Sequence, residues 1–315
     1  MTDFALLFPG QGSQSVGMLA ALAQRHATVR RTFEEAGEAL GFDLWQLVEN
    51  GPEEDLNRTE ITQPAVLAGA VAVWRVWQEL GGPRPAMLAG HSLGEYSALV
   101  VAGALDFRTA VELVAERGRQ MQAAVPEGVG AMAAILGLDD EVVAAICREV
   151  AEDQIVVPAN HNSPGQIVIA GHAAAVERAL HKCSEAGARR AVKLPVSVPS
   201  HSPLMQPAAE AMREILAATE LRSPAIPVIH NCDVDTHADG DAIREALVQQ
   251  LTSPVRWTES VRAICQTGIM DLAECGPGRV LCGLGRRIER QARWSALEDP
   301  ETLEKTISSI KESQE

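Results

Sequence analysis

The chain has 315 residues, 46% of them apolar and 22% charged, enough for one large domain or a large domain carrying a smaller insert. A net charge of −15 and an aromatic content of 3% argue against a nucleic-acid partner, an anionic membrane surface and stacking platforms for single strands. The N-terminal "MTDFALLFPGQG" has no basic region, and no apolar run is long enough to span a bilayer. Neither a signal peptide nor a membrane contact is therefore expected, and the location predicted is cytoplasmic.

"FALLF" (4–8) reads as a buried strand and "PGQGSQ" as the turn after it, with a helix around Met18 to Leu40. "TQPAVLAGAVAVWRVWQEL" (62–80) reads as an apolar helix started by Thr62, with Pro64 in its first turn. "PAMLAGHS" (85–92) is a strand, and "LGEYSALVVAGAL" a helix entered sharply from it. This alternation predicts a mostly parallel sheet with helices on both faces.

The middle of the chain changes rhythm. "GAMAAILG" (130–137) reads as a strand and 139–151 as a helix capped by Asp139. Strands follow at 155–163 and 166–171, then a helix at 172–187 and a closing strand at 189–196. The order βαββαβ is that of the ferredoxin-like split motif. The fold class expected is α/β: a large α/β-hydrolase-like domain (1–123 and 199–315) with a parallel sheet, plus an inserted ferredoxin-like domain (124–198). "PAIPVIHN" (224–231) and "MDLAECGPG" (270–278) return strands to the main sheet. The tail after Trp294 reads as a charged surface helix with a frayed end. Cys147, Cys183, Cys232, Cys265, Cys275 and Cys282 form no C-x-x-C pair. They are expected to be buried reduced thiols, with no metal site.

"AGHSLGEYSAL" (89–99) places Ser92 between Gly90 and Gly94, after a strand and before a helix. That is the context of a nucleophile elbow. Glycines on either side relieve crowding in a tight turn, and the Leu93 amide at the helix start can stabilise an oxyanion. A plain helix N-cap fits the same residues. Among eight histidines, His201 in "PVSVPSHSPLM" stands at the junction between the two expected domains, where sites form. An interdomain structural role is equally open for it. His26, His172, His181 and His237 lie on polar segments and are expected in solvent. His91 is expected to be structural, and His230 to lie in the core. Asp106, Asp139, Asp140 and Asp153 give no convincing third member of a triad, which points to a Ser–His dyad oriented by a backbone carbonyl.

"FPGQGSQ" (8–14), "TQPAVL" (62–67), "GHSLGEYSALVVAG" (90–103), "ERGRQMQ" (116–122), "NSPGQIVIAG" (162–171), "VSVPSHSPLM" (196–205), "SPVRW" (253–257) and "ECGPGRVLCGL" (274–284) occur in this order. Together, over Phe4 to Trp294, the chain resembles the bacterial malonyl-CoA:acyl carrier protein transacylases of type II fatty acid synthesis. The resemblance implies a dyad at Ser92 and His201, with the histidine held by the main-chain carbonyl of Gln250. It implies oxyanion donors at Leu93 and Gln11, and pocket residues at Gln63 and Asn162. It implies that Arg117 grips the free carboxylate of malonate, a task suited to a planar, permanently charged guanidinium. His161 stands where the resembled family has a bulky apolar residue, so the pocket wall is expected to differ there.

The same resemblance implies malonyl-CoA and acyl carrier protein as substrates. Coenzyme A and phosphopantetheine enter as substrate groups, with no metal or redox cofactor, and the protein is expected to be a monomer. Neighbouring readings are a malonyl transferase subunit of a malonate decarboxylase and a free-standing polyketide acyltransferase. A serine thioesterase or hydrolase is more distant, because it would need an acid partner and no carboxylate-binding arginine. An acidic carrier must find a basic patch on an acidic enzyme. In "GLGRRIERQAR" (283–293), Arg286, Arg290 and Arg293 are expected to share one helix face, with Arg287 beside it. Arg189, Arg190 and Lys193 are expected on the opposite rim.

Overall fold

In the computed structural model, which describes residues 3–196 and 198–314, Phe4–Phe8 forms β1 at the centre of a five-stranded parallel sheet. All five residues are buried, as a central parallel strand covered on both faces requires. Helices α1 (Ala20–Arg25), α2 (Ala27–Leu40), α3 (Leu44–Asn50), α4 (Glu53–Leu56) and α5 (Thr59–Glu79) follow. Strand β2 (Met87–Gly90) leads through Ser92 into α6 (Gly94–Val101), and α7 (Phe107–Ala123) packs beyond it.

The second sheet comes next: β3 (Gly130–Leu136), α8 (Asp140–Val150), β4 (Val156–Ser163), β5 (Gln166–His172), α9 (Ala173–Glu185) and β6 (Arg190–Lys193). Its order is β4-β5-β3-β6, and every pairing is antiparallel. Strand alternation decides what each side of β3 meets. Ala131, Ala133 and Ile135 pack with buried residues of α8 and α9. Met132 turns to the other face with Ala159, Val168 and Ala170.

The chain returns through α10 (Gln206–Ala218), β7 (Val228–Ile229), α11 (Gly240–Thr252), α12 (Trp257–Gln266), β8 (Asp271–Glu274), α13 (Val280–Ile288), β9 (Arg293–Ala296) and α14 (Pro300–Gln314). The parallel sheet runs β7-β2-β1-β8-β9, so the segments at 224–231 and 270–278 do supply strands.

Several boundaries differ from expectation. The helix predicted over 18–40 is broken at His26, whose backbone is extended. Helix α5 starts at Thr59, because Thr62 bonds its hydroxyl to Leu56 O at 2.6 Å instead of capping. Pro64 therefore lies inside the helix. Asp139 occupies the N-cap of α8, but its side chain makes no capping bond. The tail is not a charged surface helix alone. Residues 293–296 form the edge strand β9, and α14 buries Leu303, Ile307 and Ile310; the terminal Glu315 lies outside the described residues. The six cysteines are free, five of them buried and Cys265 half-buried. Burial pushes the Cys147 and Cys282 thiols up to about 12. Among the described residues no helix is long and apolar enough to cross a membrane.

Candidate active site

Ser92 sits on the turn between β2 and α6 with φ 51°, a left-handed conformation that costs a non-glycine residue about 1–3 kcal/mol. The flanking glycines are required by contact. A Cβ on Gly90 would lie 1.9 Å from Gly94 C, and one on Gly94 would lie 2.1 Å from Phe8 O. The elbow is thus pressed against the end of β1, and α6 starts immediately after it. The Leu93 amide, at the N-cap of α6, is one of the donors that a helix start leaves unused.

His201 also has a left-handed backbone, φ 60°. Its Nε2 lies 2.8 Å from Ser92 Oγ, and its Nδ1 lies 2.8 Å from the backbone oxygen of Gln250. A carbonyl only accepts, so Nδ1 carries the proton and Nε2 presents a lone pair to the hydroxyl. Burial, and then the charge of Arg117, pull the imidazole down to about 3 against the upward effect of its backbone bonds. The ring is neutral and ready to accept a proton. Among the described residues no carboxylate completes a triad; the orienting acceptor is the Gln250 carbonyl.

Arg117, on α7, is 1% exposed. Its Nη1 donates to Gln63 Oε1 and its Nη2 to Gln250 Oε1, both at 2.8 Å, and Nη2 lies 3.4 Å from Ser92 Oγ. Its Nε has no partner among the described residues. Nor does any carboxylate of the described residues lie within 4.0 Å of the guanidinium. The Tyr96 ring lies 5.6 Å beneath it, but burial pushes that phenol up to about 12, so it stays neutral. Glu95 is felt by Arg117, yet its carboxylate is taken by His230 and the Asn231 amide. A buried cation beside the nucleophile, held by two amide oxygens and the Ser92 hydroxyl, is a receptor for an anion.

These groups open into a cavity of about 260 Å³ between the two sheets. Gln11, Ser92, Leu93, Arg117, Asn162 and His201 line it, and Met132, Val168, Leu194, Val198 and Leu284 form its apolar wall. Gln63 reaches the site through Arg117, and its Nε2 donates to Met121 Sδ at 3.6 Å. The Asn162 carboxamide oxygen accepts from His91 Nε2 at 2.8 Å, and the His91 ring packs on Trp257, so His91 buttresses the wall as well as lining it. His161 is not in that wall. Its Nδ1 pairs with Asp140 Oδ2 at 2.9 Å, because neighbouring residues of β4 point to opposite faces. Of the four histidines expected in solvent only His181 is exposed; His26, His172 and His237 are half-buried with polar partners. His230 is fully buried, as expected.

The basic patch is divided by the structure. Helix α13 ends at Ile288, so Arg290 lies beyond it and Arg293 begins β9, where it pairs with Asp271. Arg286 and Arg293 line a separate cleft of about 520 Å³ between α13, β9 and α14. Arg287 faces the other way. It follows Val280 and Leu284 at helical spacing, both of which line the active-site cavity, and its Nη1 donates to Gln166 Oε1 at 2.5 Å. Gln166 pairs with Leu136, and Leu136 with Arg190, so Arg190 and Arg287 share one end of the small sheet.

Sequence reasoning did not find Asn231, Glu95 as its partner, or the side chain of Gln250. A signal existed for Glu95: it is the only charged residue in the apolar helix 94–101.

A nucleophile elbow, a histidine held by a carbonyl and a buried arginine define the class, and the acyl transferase domain matches residues 5–287. The malonyl CoA-acyl carrier protein transacylase of Escherichia coli is 57% identical over 96% of this chain and 98% of its own, and that of Bacillus subtilis 46% over 99% and 98%. The solved Coxiella burnetii malonyl CoA-acyl carrier protein transacylase superposes with a TM-score of 0.96 at 50% identity, covering 98% of this chain and 97% of its own. A malonyl-transacylase solved in complex with a type II PKS acyl-carrier protein gives 0.97 at 55%, covering 98% and 100%. The chain belongs to the malonyl CoA-acyl carrier protein transacylase family of acyltransferases.

Proposed function

We propose that the protein moves the malonyl group of malonyl-CoA to the phosphopantetheine thiol of an acyl carrier protein through a malonyl-serine on Ser92. The observation that carries this reading is Arg117: a buried cation beside Ser92 Oγ with no carboxylate of its own among the described residues. An acetyl group would leave it unpaired, whereas malonate supplies a bidentate partner. The cleft between the large domain (1–123 and 199–315) and the small domain (124–198) holds the acyl group.

In the first half-reaction His201 Nε2 takes the Ser92 proton as Oγ attacks the thioester carbonyl. The Leu93 and Gln11 amides receive the oxyanion. The C–S bond breaks, and the imidazolium returns its proton to the departing thiolate of coenzyme A. In the second half-reaction the pantetheine thiol gives its proton to His201 and attacks the malonyl-serine. Collapse of that intermediate releases malonyl-carrier and restores the Ser92 hydroxyl. Malonate pairing cancels the Arg117 charge that depresses His201, so a carboxylated substrate makes the base stronger as it binds. The carrier's acidic surface meets Arg287 and Arg190, which share one end of the small sheet, while Arg286 belongs to the other cleft.

The test is incubation with labelled malonyl-CoA followed by peptide mass spectrometry. A malonyl adduct on Ser92 that chases onto added carrier supports the reading; no adduct, or an adduct that leaves only as free malonate, overturns it. Supply of a fatty acid carrier is the first assignment. The 55% identical transacylase solved with a type II PKS carrier favours polyketide supply as the second, and competition between the two carriers separates them.

A further inference from the structure

We infer that Asn231 is a positioning residue for the Ser92 nucleophile, clamped in turn by the buried pair Glu95–His230. The Asn231 carboxamide spans the elbow. Its Oδ1 accepts from the Ser92 N–H at 2.7 Å, and its Nδ2 donates to Gly90 O at 2.8 Å. One side chain thus grips the backbone on both sides of His91.

Asn231 is itself fixed from below. Its N–H donates to Glu95 Oε1 at 2.7 Å, and Glu95 Oε2 accepts from His230 Nδ1 at 2.8 Å. Glu95, His230 and Asn231 are all fully buried. Glu95 belongs to the first turn of α6, which starts from the elbow, and His230 follows β7, which pairs with β2. The network therefore closes on the turn from three directions: residues 90, 92 and 95 are all held by residues 230 and 231.

Two physical arguments make this more than packing. A left-handed serine persists only where its surroundings over-determine it, and here both backbone polar groups of Ser92 are engaged. The N–H goes to Asn231, and the carbonyl accepts from Gln250 Nε2 at 3.0 Å. Burying a carboxylate and an imidazole is also a poor route to stability compared with an apolar filling, so the return is sought in geometry. Burial pulls His230 down, but the charge and hydrogen bond of Glu95 outweigh it and raise the imidazole above its ordinary value. With the Ser92 N–H occupied, oxyanion binding falls to other amides, and the Ser92 Oγ is aimed at His201.

The inference rests on Ser92 being the nucleophile, so the experiment reads that separately. Wild type, Asn231→Ala and Asn231→Asp are labelled with a fluorophosphonate, a serine-directed reagent, and assayed for malonyl loading. The amount of reactive site fixes the competent fraction. Asn231→Ala is expected to lower the labelling rate and kcat about 10²-fold, with KM for malonyl-CoA within about twofold. An aspartic acid kept neutral by burial beside Glu95 reproduces the acceptor and the donor, so Asn231→Asp is expected to recover about tenfold. A residue that merely supported the fold would lower the competent fraction and leave the rate per competent site unchanged. That result overturns the inference, as does an aspartate variant no better than alanine. If Asn231→Ala does not accumulate folded, Asn231→Ser, which cannot span both bonds, replaces it in the same comparison. Failure of wild type to label at Ser92 would instead overturn the nucleophile assignment.

Discussion

The Gln250 side-chain oxygen accepts a hydrogen bond from Arg117 Nη2 at 2.8 Å, so a neutral amide stands where a carboxylate would complete an ion pair. The same residue donates from Nε2 to Ser92 O and offers its backbone oxygen to His201. Substituting Gln250→Glu supplies the missing counter-ion. Internal pairing then competes with malonate, and loss of a charged contact in a dry pocket costs on the order of 2–5 kcal/mol. Both thioesters should load more slowly, because glutamate cannot donate to Ser92 O, and malonyl-CoA should lose about 10²-fold more than acetyl-CoA. Equal kcat/KM losses for both thioesters would contradict this role.

Arg117→Ala removes the receptor for the carboxylate. The ratio of kcat/KM for malonyl-CoA over acetyl-CoA should drop, because the acetyl group no longer leaves a buried cation unpaired. The measurement is the two loading rates on one preparation, and an unchanged ratio would refute the assignment.

The pH profile follows from the neutral base. His201 is held at about 3, far below the usual histidine value of 6.5. Its active, unprotonated form therefore persists as the pH falls through 6.5, and kcat/KM for loading should stay flat there, declining only at lower pH. In Arg117→Ala the Coulombic push is gone, so the acid limb should move up towards 6.5. A wild-type limb centred at 6.5 would show that His201 is not the depressed base described here.

Ser92→Ala should form no acyl-enzyme and show no transfer, while the melting temperature is kept. The methyl group retains the left-handed backbone contacts to Asn231 and Gln250, since both are made by main-chain atoms of residue 92. Malonyl attachment at the wild-type rate in this variant would displace Ser92 from its role.

Charge reversal separates the two arginines of α13. Arg287→Glu should slow transfer to carrier protein and reduce its salt sensitivity, leaving loading from coenzyme A much less changed. Arg286→Glu should alter neither step, because that residue lines the other cleft. If both variants slowed transfer equally, carrier docking would not follow the cavity face of the helix.

Much of this was legible in the chain. The all-buried "FALLF", the glycines around Ser92 and the βαββαβ rhythm between 130 and 193 are local patterns, set by side-chain period and by where a Cβ has no room. The dyad, Arg117 and Gln250 were legible as motif positions in a familiar order. The helix expected from 62 begins at Thr59, because the Thr62 hydroxyl bonds back to Leu56 O, six residues earlier, instead of capping. The basic helix ends at Ile288, short of the expected 293, and nothing local to 283–293 says that Arg293 will join the parallel sheet as an edge strand.

What the tertiary structure alone decided are contacts between distant segments. Residue 231 reaches residue 92 only once β7 lies beside β2, and the sequence between them carries no trace of that bond. The lack of a counter-ion for Arg117 is likewise a property of a volume, since it depends on every segment that packs there. Local sequence dictated the turn, the nucleophile and the charge, since each needs only its neighbours. The angle at which they meet, the tautomer of His201 and the exclusion of carboxylates follow from packing two sheets around one cavity, which no single stretch of chain encodes.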